Sequence, residues 1–144
     1  MEFFELDQNR LAILEQWFTD HEVAQRLNGM LPLQEWFDYV QRNPDYFSWM
    51  VYVDSQPVGN IDLERYTDGT ASVSLLTNPS LRNQGYGKRM IDALLKRPEL
   101  SSVETIEIGI EQDNIASIKC FRKAGFIEHG LDEDGFVLLT YPLK

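Results

Sequence analysis

The chain is poor in the residues that build metal centres and covalent staples. It has one cysteine, Cys120, and two histidines, His21 and His129, in 144 residues. A single thiol excludes an internal disulfide and any multi-cysteine metal site. The histidines stand in no ligand spacing such as His-Glu-x-x-His, so both read as ordinary surface residues. Positive charge is also scarce: 13 lysines and arginines stand against 23 aspartates and glutamates, a net charge of −10. That balance excludes nucleic acid as a partner, because phosphate backbones need clustered basic residues. No apolar run approaches the roughly 18 residues that suggest a membrane span. The opening Met1-Glu2-Phe3-Phe4-Glu5-Leu6-Asp7 has neither the basic stretch nor the apolar core of a secretion signal. The expectation is a cytoplasmic, metal-free chain that does not engage membranes. Repeats, low-complexity tracts and linkers are missing too, so one domain spanning 1–144 is expected. With 43% hydrophobic residues, a chain of this length can bury a full core unaided.

What is present falls into two periods. Glu2–Leu6 reads as an edge strand. Leu11, Leu14, Trp17 and Phe18 recur at helical spacing, and Asp20 is placed to cap a short helix over Val23–Leu27, ended by Asn28-Gly29. Leu33–Val40 is helix-like, with Trp36, Phe37 and Val40 on one face. Alternation then takes over in Phe47–Val53, turns at Asp54-Ser55-Gln56-Pro57, and returns in Val58–Tyr66 and Thr70–Thr77 on either side of Thr67-Asp68-Gly69. Asn78-Pro79 stops this antiparallel meander. A helix with a Met90, Ile91, Leu94 and Leu95 stripe follows and breaks at Pro98. Val103–Ile110 reads as a strand. Asp113 or Asn114 caps a helix running to Ala124, with Gly125 past its end. Phe126–Glu128 and Phe136–Tyr141 pair around Asp132–Gly135. The order β-α-α-β-β-β-α-β-α-β-β predicts an α/β sandwich on a mixed sheet.

Two segments carry chemistry. Arg82-Asn83-Gln84-Gly85-Tyr86-Gly87-Lys88 joins a strand end to a helix start. Its glycines permit a tight turn and present unpaired amides at the positive end of the helix dipole, which suits a phosphate or pyrophosphate. It is not a Gly-x4-Gly-Lys-Ser/Thr loop, because Arg82 and Arg89 hold the defining positions. It is not a dinucleotide fingerprint either, because position 90 is methionine. In the second segment Asn114, Ser117 and Phe121 are three and four residues apart, hence on one helix face. Asn114 serves there either as a ligand contact or as a plain helix cap. Charge follows the same division: residues 82–97 carry +4 and residues 114–126 carry +3, leaving −17 on the rest. A basic end suits an anionic ligand, and an acidic remainder attracts a cation.

Together and in this order, the two segments resemble the GNAT (Gcn5-related N-acetyltransferase) family. Arg82-x-x-Gly85-x-Gly87 matches its Arg/Gln-x-x-Gly-x-Gly/Ala loop. Asn114-x-x-Ser117 with Lys123-x-Gly125-Phe126 matches its second signature. The likeness runs from the first strand to the last hairpin. It implies a mixed, mostly antiparallel central sheet flanked by helices, with acetyl-CoA as co-substrate in a cleft between splayed strands. The implied contacts are the backbone of Leu75, Leu76 and Thr77 on the pantetheine arm and the amides of Arg82, Asn83, Gln84, Gly85, Tyr86, Gly87 and Lys88 on the pyrophosphate. Asn114 and Ser117 would touch the co-substrate from the next helix. The residues themselves agree at one point: a strand end stopped by Pro79 leaves backbone groups free to pair with an amide-bearing ligand.

The family's acid and base positions hold other residues here. Phe121 stands where a tyrosine protonates the leaving thiolate, and Ser72 and Gly109 stand where glutamates act as base. Asn60, Asp62 and Glu64 project to one face of their strand, while Glu107 and Glu111 share a face with Gly109. Glu64 and Asp62 rank first as replacement bases, because their strand neighbours the cleft-forming one. Cys120 has no histidine nearby in sequence and reads as a buried thiol. Trp36, Tyr39, Trp49 and Tyr66, beside Glu35, Asp38 and Asp45, are candidates to line an acceptor pocket. The resemblance thus implies acetyl transfer to a primary amine by direct attack in a ternary complex, with a small cationic acceptor preferred. A non-enzymatic acyl-CoA-binding or sensing protein, or a protein or peptide N-acetyltransferase, is the alternative. The family analogy also suggests a homodimer.

Overall fold

Seven strands form a single sheet in the computed structural model, which describes residues 1–144, in the order β1-β2-β3-β4-β5-β7-β6. The strands are β1 (Glu2–Glu5), β2 (Tyr46–Val53), β3 (Gln56–Arg65), β4 (Thr70–Thr77), β5 (Thr105–Ile110), β6 (Ile127–Leu131) and β7 (Val137–Pro142). The sheet is mixed and mostly antiparallel, as expected; only the β4–β5 pair is parallel.

The helices begin where polar side chains can take up their orphan amides. Asp7 accepts the Arg10 N–H at 2.8 Å to open α1 (Gln8–Trp17), and Asp20 accepts the Val23 N–H at 3.2 Å to open α2 (His21–Arg26). The helix-like stretch at Leu33 is a full helix, α3 (Leu33–Arg42), which buries Leu33, Phe37 and Val40. Three helices therefore precede β2, one more than the expected element order contains. The β2–β3 hairpin also turns more tightly than its sequence suggests. Asp54 and Ser55 have φ of 51° and 65°, making a two-residue turn whose twist matches the flanking strands. Gln56 and Pro57 consequently belong to β3. The remaining helices are α4 (Tyr86–Leu94) and α5 (Ile115–Lys123).

The two faces of the sheet carry separate cores. Trp49, Ile61, Leu63, Ile106 and Leu139 pack with Met90, Ile91 and Leu94 of α4 and with Ile118 and Phe121 of α5. Met50 and Leu76 face the other way and pack with Leu11, Leu14 and Phe37. Each fully buried side chain of this size contributes roughly 1.5–3 kcal/mol. Trp49 is only 2% exposed, within the α4–α5 core. It therefore lines no acceptor pocket, contrary to the expectation: alternation along β2 turns it away from Tyr46 and Ser48.

One topological detail makes the cleft. The parallel β4–β5 pair has only two rungs, Thr70 with Thr105 and Ala71 with Ile106. Beyond them β4 follows β3 as far as Thr77, while β5 follows β7 as far as Ile110. The sheet opens into a V between them.

Candidate active site

The V is the floor of a cleft of about 1110 Å³, bordered by Ser72–Thr77, the 82–88 loop, Ile108–Glu111 and the inward face of α5. On the β4 side, the backbone from Ser72 to Thr77 has no strand partner toward the cleft. Leu75 and Leu76 are anchored by packing on opposite faces of the sheet. Their side chains fix the strand while its free backbone edge faces the opening.

The loop at the head of α4 supplies the next wall. Asn83 and Gly85 both have left-handed backbone, with φ of 63° and 83°, and Gly85 caps α4 without any side-chain hydrogen bond. No backbone amide from Arg82 through Lys88 donates to another group of the protein. Seven consecutive uncommitted amides and a helix N-terminus form a concave donor surface for an anion. Gly87 matters through space rather than through φ: a Cβ there would lie 2.8 Å from Cys120 Sγ. A bare backbone at 87 lets the first turn of α4 lie against α5. The half-buried Cys120 lines the cleft, and burial pushes its thiol above the ordinary range, which leaves it a poor nucleophile.

Asn114 is the cap of α5, its Oδ1 accepting the Ser117 N–H at 3.4 Å. The cap uses only the carbonyl end of the side chain, so the amide NH₂ remains available to the cleft, which both Asn114 and Ser117 line.

The basic segments are less free than their net charge suggests. Arg82 pairs with Asp20 at 2.7 Å, Lys88 with Asp92 at 2.6 Å and Arg97 with Glu99 at 3.0 Å. The Arg82 hydrogen bond holds the Asp20 carboxyl below its usual value, and the same contact raises Arg82. At the other end of α2, Arg26 binds Asp113 at 2.7 Å and Glu111 at 3.3 Å. The short helix α2 is thereby tied to the loops on both sides of the cleft mouth. No local sequence signal announces these pairs, whose partners lie 62 and 87 residues apart.

On the other side of β4, Glu64 lies on β3 directly opposite Ser72. Its carboxylate accepts hydrogen bonds from Tyr39 Oη at 2.7 Å, Tyr66 Oη at 3.2 Å and Asn43 Nδ2 at 3.4 Å. Two of the proposed aromatic lining residues, Tyr39 and Tyr66, thus converge on the carboxylate at the strand position adjoining the vacant Ser72 site. Trp36 packs instead with the α1–α3 core, and Glu35, Asp38 and Asp45 are exposed. Asp62, ranked with Glu64 as a replacement base, is buried away from the cleft: it is 3% exposed and accepts hydrogen bonds from Ser48 Oγ at 2.6 Å and Tyr46 Oη at 3.0 Å. Trp36 Nε1 donates to Tyr46 Oη at 3.3 Å and completes the cover from α3. Burial pushes the Asp62 carboxyl up to about 6. Asn60 is buried beside it, donating to Ser48 Oγ and the Trp49 carbonyl. Phe121 is buried edge-on against Phe126, with ring centroids 5.1 Å apart, and Gly109 is exposed in the cleft. None of the described residues forms a cluster able to hold a metal ion, and no helix is long and apolar enough to cross a membrane.

A splayed β4–β5 pair that meets an amide-lined loop at a helix start is the architecture of one class of acyl-transferring enzyme. The chain belongs to the Acetyltransferase (GNAT) family, whose profile matches residues 11–126, and it is an N-acetyltransferase of that type. It is 35% identical over 136 residues to YfmK, an uncharacterized N-acetyltransferase of Bacillus subtilis (strain 168), covering 93% of this chain and 91% of YfmK. Among solved structures, AAC(6')-Ib in complex with paromomycin and acetyl-CoA superposes with a TM-score of 0.83 at 19% identity, over 98% of this chain and 92% of the other. A spermidine N-acetyltransferase SpeG chimera from Vibrio cholerae and hSSAT gives 0.80 at 15% identity, over 98% and 94%.

Proposed function

We propose that this chain, acting as one domain over 1–144, transfers the acetyl group of acetyl-CoA to a primary amine by direct attack in a ternary complex. The preferred acceptor is a small molecule with more than one positive charge. The observation that carries this reading is the meeting, in one cleft, of the unpaired β4 edge with the uncommitted 82–88 amides. The Leu75–Thr77 backbone suits the amides of a pantetheine arm, and the loop suits its pyrophosphate. The Asn114 NH₂ and the Ser117 hydroxyl add polar contacts from α5. Bound there, acetyl-CoA supplies an activated thioester. Holding amine and acyl group together provides much of the rate by proximity. Phe121 offers a wall and no proton, so the leaving thiolate is protonated by water.

Glu64 is the acceptor-side carboxylate that this reading selects. Its three donors hold it in place, and its charge draws an ammonium to the cleft beside Ser72. Asp62 lies behind that surface and supports it without touching the acceptor. The −17 carried outside the two basic segments favours a polycation. Aminoglycoside and spermidine acetyltransferases share the fold, and both acceptors are of that kind.

Thiol release from acetyl-CoA in the presence of spermidine, kanamycin or a lysine-containing peptide tests the proposal. Saturable release with a small polyamine is expected. CoA binding without amine-dependent release from any of the three would favour a binding or sensing role instead.

A further inference from the structure

Gly109 leaves a gap in the β5 wall of the cleft, and a carboxylate from elsewhere in the chain stands beside it. A Cβ built on Gly109 would lie 3.5 Å from Asp132 Oδ2 and 3.3 Å from Phe136 Cβ. Gly109 and Phe136 both line the cleft. Continuing the parallel register beyond its last rung, Ala71 with Ile106, puts Ser74 across from Gly109. The Asp132 carboxylate thus stands beside the Gly109 position of the β5 wall, across the V from the wall that carries Ser72.

The turn between β6 and β7 fixes this carboxylate firmly. Asp132 Oδ1 accepts the backbone N–H groups of Asp134 and Phe136, both at 2.9 Å, and the Asp132 N–H donates to the Phe136 carbonyl at 2.8 Å. Gly135, with φ of 84°, closes the turn, and its carbonyl accepts from Gln112 Nε2 at 2.9 Å. Oδ2 accepts no hydrogen bond from the protein, and Asp132 takes part in no ion pair. One oxygen is committed to structure and the other is free. Glu64 is different: both of its oxygens already accept hydrogen bonds. Hydrogen bonds to a carboxylate favour its charged form and make it a weaker base, whereas an oxygen with open lone pairs can take a proton.

We infer that Asp132 is the proton acceptor for the incoming amine, brought in by the β6–β7 turn to the place that Gly109 leaves empty. The inference rests on the N-acetyltransferase reading above and assigns its missing base. In the step it describes, the acceptor's ammonium gives one proton to Asp132 Oδ2. The nitrogen lone pair then forms the N–C bond to the acetyl carbon as the C–S bond breaks, and sulfur leaves as thiolate. The second nitrogen proton reaches that thiolate through water, and Asp132 releases its own proton to solvent.

The test compares wild type, D132N, D132A and the double variant D132A/G109E with acetyl-CoA and spermidine, kanamycin or a lysine-containing peptide. D132N keeps a carbonyl oxygen for the Asp134 and Phe136 amides, so the turn survives while the base is lost. We expect its kcat to fall about 100-fold, with CoA affinity by calorimetry within twofold of wild type. D132A should lose at least as much, and Glu at 109, in space that the alanine vacates, should recover about tenfold of it. If D132N turns over within threefold of wild type, the inference is wrong while the acetyltransferase reading stands. Loss in D132A alone, without loss in D132N, would mean a structural role only and also overturns it. If wild type acetylates none of the three amines, the reading itself fails, and this inference with it.

Discussion

The two ends of the cleft are built from different materials. The end assigned to the co-substrate is mostly backbone: an unpaired strand edge and a loop whose amides have no partner in the protein. The end proposed for the acceptor is built of side chains, with Glu64 clasped by Tyr39, Tyr66 and Asn43 and Asp62 sealed beneath Tyr46 and Ser48. Backbone groups are the same in every sequence, so the first end can be kept constant by a few glycines and a strand break. Side chains vary freely, so the second end can be refitted to a new amine without disturbing the first.

That contrast can be probed from the strongest effect downward. The acceptor end carries a buried charge, and its effect on stability has a definite sign. The Asp62 carboxyl, with a folded value of about 6, keeps its proton well above the value near 3.9 expected in the unfolded chain. Between those values the folded protein binds more protons, so stability falls as pH rises through the window, by about 3 kcal/mol in all. Urea unfolding of D62N should lack this decline, and its stability relative to wild type should improve by about that amount from pH 4 to pH 7. Parallel pH profiles would contradict the buried charge.

Gly85→Val strikes the backbone-built end. A β-branched residue at φ of 83° is strained by about 1–2 kcal/mol, and relief of that strain reshapes the loop. Calorimetry should show CoA affinity reduced about 100-fold or more, since several amide contacts are lost together. Glu64→Gln strikes the other end. It should lower kcat/KM for a polyamine about 30-fold, the worth of one hydrogen bond to a charged group, with CoA affinity unchanged. Cys120→Ser should be the mildest, with turnover within twofold of wild type, because a half-buried thiol whose pKa is raised by burial takes no part in the reaction. If Gly85→Val and Glu64→Gln each impaired both ligands equally, the two ends would not be separable.

The same contrast explains what the residues disclose before folding. The 82–88 loop, the Asn114 cap and the strand break at Pro79 are local, and each is legible from a few neighbouring residues. The V itself was reachable only through the family resemblance, because its cause is a parallel pairing that stops after two rungs. On the acceptor side, alternation correctly puts Asp62 and Glu64 on one strand face. It does not reveal that α3 covers Asp62, because that cover comes from a helix packed across the sheet. Trp49 fails for a related reason: it alternates to the face that α4 and α5 bury. Asp132 was invisible as a partner of Gly109, because a turn 23 residues further along the chain brings the two together. Charge counting likewise does not reveal that Arg82, Lys88 and Arg97 each bind a carboxylate.

The most direct test of the account is the initial rate of thiol release from acetyl-CoA by the wild-type protein, titrated with spermidine and with kanamycin. The account predicts a rate that saturates with at least one of these amines and yields one acetylated product per thiol released. Tight CoA binding accompanied by thiol release no faster than in the absence of amine would contradict it.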